Sequence, residues 1–228
     1  MDANFWHKCW QRNTIGFHQV EFHPWLEQLI LPELLTSNDT ANAIDSDDAC
    51  KRVFVPLSGK SDDMLWFANY GEVVGAELSR IACRDFFKEQ GLDIQAQVHD
   101  EFNVYQHENI SLWQGDFFNL TCEDVGDFHW IYDRAALVAL PEEMQQRYVK
   151  HLQTFIKPIT KLFLLTVEFP ANEMSGPPFS INETAVKALF NNYNVNCLAV
   201  KAIPDKRFAQ RVFNVSQFVE KLYVITHH

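Results

Sequence analysis

The chain has 228 residues, of which 47% are apolar and 14% aromatic, and a formal net charge of −11. Its length and apolar content predict one globular domain with a large core, not a disordered chain. Its acidity argues against a general nucleic-acid binder and against docking on an anionic membrane, since both need a basic face.

The opening segment, residues 1–35, is rich in aromatics, with Trp6 and Trp10 four residues apart and so on one face of a helix. Residues 36–51 are polar and acidic and read as an exposed linker. The organised core, residues 52–228, begins with the strand "RVFVPL". A helix follows from Ser61 to Tyr70, with Ser61 as N-cap. "EVVGAEL" is the second strand. Ser79 caps a helix running to Gln90, and Gly91 stops it. Residues 93–109 are polar and give no clear period. "ISLWQ" and "FHWIYDRA" are the third and fourth strands. In "LPEEMQQRYVKHLQTFI", Pro141, Glu142 and Glu143 form a helical first turn, and Met144, Tyr148, Leu152 and Phe155 recur at helical spacing. "KLFLLTVEF" has the composition of a strand buried on both faces. A polar helix over Asn182 to Asn192 precedes "VNCLAVKAI" and "FVEKLYVITH", which lack a helix-sized connection and therefore pair antiparallel. Alternating strands and helices make a doubly wound, mostly parallel α/β sheet. Its ligand belongs beyond the carboxyl ends of the strands.

The five cysteines are odd in number and form no C-x-x-C, which argues against a disulfide framework or a zinc site. The start "MDANFWHKCWQR" has no apolar signal core, and the longest apolar run, "LFLLTV", is strand-sized. The expectation is a reduced, soluble, cytoplasmic protein without a membrane span. His18, Glu21 and His23 do not have the spacing of H-E-x-x-H, so no metal is expected. Cys83 lies on an amphipathic helix and reads as core packing.

Gly59-Lys60-Ser61 after a strand resembles the end of a phosphate-binding loop. The earlier glycine of that motif would fall at Phe54, inside the strand, so the pattern fails. Gly59 alone would read as a tight turn. Glu77, however, ends the second strand eighteen residues later, where an acidic group can accept from both hydroxyls of a ribose. After the third strand, Asp116 can accept from an adenine amino group, with Phe117 or Phe118 against the base. The plainer readings are a solvated charge for Glu77 and a turn cap for Asp116. Three candidates at three carboxyl ends favour an adenosine-shaped site.

With these motifs, "FHWIYDRAALVALP", "GPPF" and "FWHKCWQRNTIGFH" complete a set that resembles the thiopurine S-methyltransferase family, from about Phe5 to the C-terminus. The family has Cys where this chain has Ser58. The resemblance implies a seven-stranded class I methyltransferase with a reversed final strand, and S-adenosylmethionine as cofactor. It implies that residues 1–35 form a lid. Trp10 would cover the cofactor, and Phe17 would also face the acceptor. Leu57 and Gly59 would approach the methionine part, Glu77 the ribose, and Asp116 and Phe117 the adenine. Arg134 would lie between cofactor and acceptor, unless it merely pairs with Asp133 or another local acid. Arg207 and Arg211 both remain open as a second substrate-side arginine. The implied reaction is methyl transfer to the sulfur of small aromatic or heterocyclic thiols by a monomer. Selenium or tellurium acceptors, or a cofactor-binding protein without turnover, are the alternatives. A nucleotide hydrolase ranks below both. An aromatic thiol is substantially ionised near neutral pH, so no dedicated base is required.

Overall fold

The computed structural model describes residues 3–36 and 51–228. Most of the expected linker, residues 37–50, lies outside the described residues. Helix α1 (Ala3–Gln11) is followed by a π-helical turn (Leu26–Ile30) and α2 (Leu31–Thr36). The core then runs β1 (Arg52–Pro56), α3 (Asp63–Phe67), β2 (Glu72–Glu77), α4 (Arg80–Glu89), β3 (Gln97–His99), β4 (Phe102–His107) and β5 (Ile110–Gln114). It continues α5 (Cys122–Val125), β6 (Trp130–Arg134), α6 (Glu142–Leu152), β7 (Lys161–Glu168), α7 (Glu183–Leu189) and β8 (Asn194–Ala202). The chain closes with β9 (Arg207–Phe208), β10 (Arg211–Val212) and β11 (Val219–Thr226).

The main sheet has the order β3-β4-β5-β2-β1-β6-β7-β11-β8. From β5 to β7 all pairings are parallel, and β11 is inserted antiparallel between β7 and β8. The seven strands from β5 to β8 are those expected from sequence. The other two, β3 and β4, form an antiparallel hairpin on the β5 edge, in the polar segment that had no assignment. That hairpin has a fully exposed outer strand, so its sequence lacks the apolar alternation that marks a strand.

Both faces of the sheet are covered, as parallel strands require. Along β1, Phe54 faces one layer, with Phe117, Phe128, Tyr148 and Phe155. Its neighbours Val53 and Val55 face the other, with Phe67, Phe86 and Tyr132. β7 is buried along six consecutive residues, as its composition predicted, and Cys83 is wholly buried in the core.

Ser79 caps α4 as expected, its Oγ accepting from the Ala82 amide at 3.3 Å. Asn182 does the same for α7, accepting from the Ala185 amide at 2.9 Å. Ser61 does not cap α3. The helix starts at Asp63 and is shorter than its sequence suggested. The Ser61 hydroxyl accepts from the Asp63 amide only at 3.4 Å and from Arg134 Nη2 at 2.8 Å. Pro141 occupies the N-cap of α6, one residue before the first turn.

Asp133, on β6, is fully buried and accepts from the Tyr148 hydroxyl at 2.7 Å and the Leu137 amide at 3.1 Å. It ties α6 to the sheet. Asp133→Ala leaves both donors without a partner, and the unfolding free energy measured in urea should fall by about 2–4 kcal/mol. A loss below about 0.5 kcal/mol would show that the pair contributes nothing net.

Candidate functional site

The chain leaves β1 through a strained turn. Leu57 has φ +47° and Gly59 φ +57°, both left-handed. Ala135, just after the adjacent strand β6, has φ +65°. Strained residues at the carboxyl ends of neighbouring strands are a mark of functional sites. Gly59 is also fixed by space: a Cβ there would lie 3.3 Å from the Trp10 indole. The close packing continues at Gly75 in β2, where a Cβ would meet the Leu112 side chain at 2.5 Å and Ser58 Oγ at 2.8 Å.

Glu77 holds this turn. Its Oε2 accepts from the Gly59 amide at 2.8 Å and its Oε1 from the Ser79 amide at 2.6 Å. The carboxyl group is 7% exposed, and burial raises its pKa to about 7 even though these amides favour the ionised form. It is therefore neither an ordinary solvated charge nor compatible with a phosphate-binding loop. The amide that such a loop would aim at a phosphate is aimed here at a carboxylate. Lys60 forms an ion pair with Glu89.

A cavity of about 290 Å³ lies over these strand ends. Trp10, Phe17, Leu57, Gly59, Glu77, Asp116, Phe117 and Arg134, the eight residues singled out from sequence, all line it. α1 closes it from above: Trp10 is 7% exposed, and Phe17 meets Trp6 and Trp10 edge-on at 5.5 and 5.7 Å. Asp116 is exposed and caps a short turn, its Oδ1 accepting from the Phe118 amide at 3.0 Å. The plainer reading of Asp116 thus holds for one oxygen. Phe117 is mostly committed to the core, stacked on Phe54, while Phe118 lies beneath the Arg147 guanidinium at 3.8 Å. Phe118, the other aromatic the sequence offered beside Asp116, lines this wall too. Arg147 completes it and was not singled out, because nothing in the sequence placed α6 beside the third strand end.

Arg134 is paired with Asp63, not with Asp133. Burial opposes its charge, but the Asp63 carboxylate outweighs that and keeps the guanidinium fully protonated. Asp63 is itself wholly buried. Its Oδ1 accepts from the His23 amide at 2.9 Å, and its Oδ2 from the Tyr132 hydroxyl at 3.0 Å and from Arg134 Nε. His23 Nδ1 accepts from the Trp25 amide, so Nε2 carries the proton donated to Glu220 on β11, at 3.1 Å. Both ring nitrogens of His23 are thus engaged with the protein.

A second cavity of about 350 Å³ adjoins the first and shares Trp6, Phe17, Ala135 and Ala139 with it. Pro177, Phe208 and Phe213 add to its apolar wall, and Arg211 is its charged residue. Arg211 lies over Phe213 at 4.8 Å and donates to the Pro177 carbonyl at 3.3 Å. Of the two arginines left open by the sequence, Arg211 lines a cavity; Arg207 is exposed on β9.

A doubly wound sheet with β11 reversed and a cavity at the switch of strand order defines the class I methyltransferase fold. Solved structures agree. A SAM-dependent methyltransferase from Anabaena variabilis superposes with a TM-score of 0.64 at 13% identity, over 99% of this chain and 95% of that one. Magnesium protoporphyrin IX methyltransferase from Synechocystis, with bound SAH, gives 0.57 at 12% identity, over 98% and 99%. The thiopurine S-methyltransferase family model matches residues 1–228. A thiopurine S-methyltransferase of Pseudomonas fluorescens is 42% identical over 99% of both chains. One from Methylococcus capsulatus is 39% identical over 98% of this chain and 96% of its own. The chain belongs to the thiopurine S-methyltransferase family of S-adenosylmethionine-dependent methyltransferases. Among the described residues, no helix is long and apolar enough to cross a membrane.

The walls suit that cofactor. Beyond the Gly59 and Ser79 amides, the Glu77 oxygens have lone pairs left to accept a pair of vicinal hydroxyls. A carboxylate accepts such hydroxyls better than a carboxylic acid does. The dissociation constant of S-adenosylhomocysteine should therefore rise as pH falls below about 7, by up to about tenfold per unit. Stability has the opposite sign. With its pKa raised in the folded state, Glu77 favours the unligated fold most at low pH, and that contribution is lost as pH rises through about 7. Calorimetric titration between pH 5.5 and 8 checks the binding, and Glu77→Gln should flatten it. A flat profile in the parent protein would remove Glu77 from the ribose.

Proposed function

We propose that the protein transfers the methyl group of S-adenosylmethionine to the sulfur of small aromatic or heterocyclic thiols. The observation that carries this reading is the second cavity, apolar, aromatic-walled and adjoining the cofactor-sized one at Trp6, Phe17, Ala135 and Ala139. The chain is read as a single domain acting as a monomer. Residues 1–35 form the lid, 36–51 the linker and 52–228 the core.

When bound, the cofactor supplies an activated methyl group, and the protein supplies position and a dry site. Glu77 orients the ribose. Asp116, through the oxygen not used in its turn, and Phe117 frame the adenine, with Phe118 beside them. Leu57 and Gly59 border the methionine part. Trp10 and Phe17 exclude water and turn ring faces and edges toward the reacting region. Arg134, at the end of β6, has no hydrogen-bond partner for Nη1 among the described residues, and that nitrogen directs a hydrogen bond toward cofactor or acceptor. The acceptor enters as its thiolate, so no side chain is asked to remove a proton. Arg211 would meet an anionic substituent on the acceptor ring.

Mass spectrometry of mixtures with S-adenosylmethionine and a panel of acceptors tests the reading. Methylated aromatic thiols are the expected products. Products confined to selenium or tellurium compounds would keep the cofactor and replace the acceptor. Cofactor binding without any product would leave a binding protein. Arg211→Ala should raise KM for carboxylate-bearing aromatic thiols by about tenfold and leave unsubstituted ones within about threefold. Equal effects on both would deny Arg211 that role.

A further inference from the structure

The walls of the cofactor-sized cavity carry three cationic side chains, Lys60, Arg134 and Arg147. Lys60 is neutralised by Glu89, and Arg147 lies against the Phe118 ring near the opening. Arg134 is the deep one. Its side chain is only 6% exposed, and the partner carboxylate of Asp63 is 0% exposed. Asp63 is not part of the cavity wall. It stands behind Arg134, held by three donors and closed off from solvent.

This placement matters because of what the cavity has to hold. The sulfur of the methyl donor carries a full positive charge, and an unpaired guanidinium in the same enclosed space would repel it. Two like charges several ångströms apart in a partly buried site disfavour binding by roughly tenfold to a hundredfold. A neutral residue in place of Arg134 would avoid the repulsion but lose the directed donors.

We propose that Asp63 is a positioning residue that cancels the charge of Arg134, so that the cavity admits a sulfonium, and that fixes the guanidinium so that Nη1 is the donor left for ligands. The inference deepens the functional reading above and rests on its cofactor. The same carboxylate accepts the His23 amide, and His23 is held by Glu220. The inner end of the lid segment and the arginine are therefore aimed by one group.

S-adenosylmethionine and S-adenosylhomocysteine differ by one methyl group and its charge. General damage to the site weakens both alike, whereas a change in local charge alters the ratio of their dissociation constants. Calorimetry with both ligands at pH 8 gives that ratio. In Asp63→Asn, an isosteric change, the donor should lose affinity relative to the product by about tenfold or more. In Asp63→Asn/Arg134→Gln the ratio should return to within about threefold of the parent. Arg134→Gln alone leaves the carboxylate without its cation and should shift the ratio the other way. It decides the matter if circular dichroism shows that Asp63→Asn does not fold. If the folded single variants keep the parent ratio within about twofold, Asp63 is only structural and the proposal fails. If the parent binds neither ligand, the cofactor reading falls and takes this inference with it. The two failures are thus told apart by the parent protein alone.

Discussion

The site depends on one buried carboxylate. Glu77 ends β2 and accepts from the amides of Gly59 and Ser79, so it joins the turn after β1 to the start of α4. Two parallel strands whose carboxyl ends diverge into different connections are held at fixed separation there. The backbone before it follows: Leu57 is kept left-handed, Gly59 is brought against Trp10, and α1 has a floor to rest on. A carboxylate whose partners are all backbone amides is insensitive to side-chain substitution around it. Burial keeps its pKa near 7 and leaves it responsive to what enters the cavity.

The second constraint is charge. The protein is acidic overall, yet its cofactor is a cation and its expected acceptors react as anions. Several ionisable groups in the interior are arranged in paired sets. Arg134 is paired with Asp63, Asp133 with Tyr148, and His23 with Glu220. Each such set carries a desolvation cost that only full hydrogen bonding offsets. The first two of these sets meet on β6, and the third ties the N-terminal segment to β11. There the fold gives up apolar packing for directed donors and acceptors.

The segment after α1 and the short hairpin of β9 and β10 both border the other cavity. The Gln210 amide donates to the Gly16 carbonyl, and the Gln210 side chain to the His18 carbonyl. Gly16 leaves room for the Arg211 side chain, which a Cβ would meet at 2.7 Å. Two segments at opposite ends of the chain thus shape one pocket, and neither is part of the parallel sheet. The strand ends of the sheet wall the first cavity, while these peripheral pieces wall the second.

The sequence by itself determined the order of the main strands and helices, the Ser79 cap of α4 and the position of Glu77. It could do so because strand and helix periods, N-cap residues and strand-end carboxylates are local patterns read within a few residues. Position at strand ends also singled out Gly59, Asp116 and Phe117, and the resemblance carried by the motifs added the cofactor with Trp10, Phe17, Leu57 and Arg134; all eight residues line a single cavity. Tertiary structure alone decided the remainder. It inserted β11 between β7 and β8, and it added β3 and β4 as an edge hairpin too polar to show a period. It gave Arg134 its partner 71 residues away and not the adjacent Asp133. It chose Arg211 over Arg207 for the second cavity. In each case the deciding interaction joins groups far apart in the chain, where local pattern is silent and only packing and burial select among the available charges.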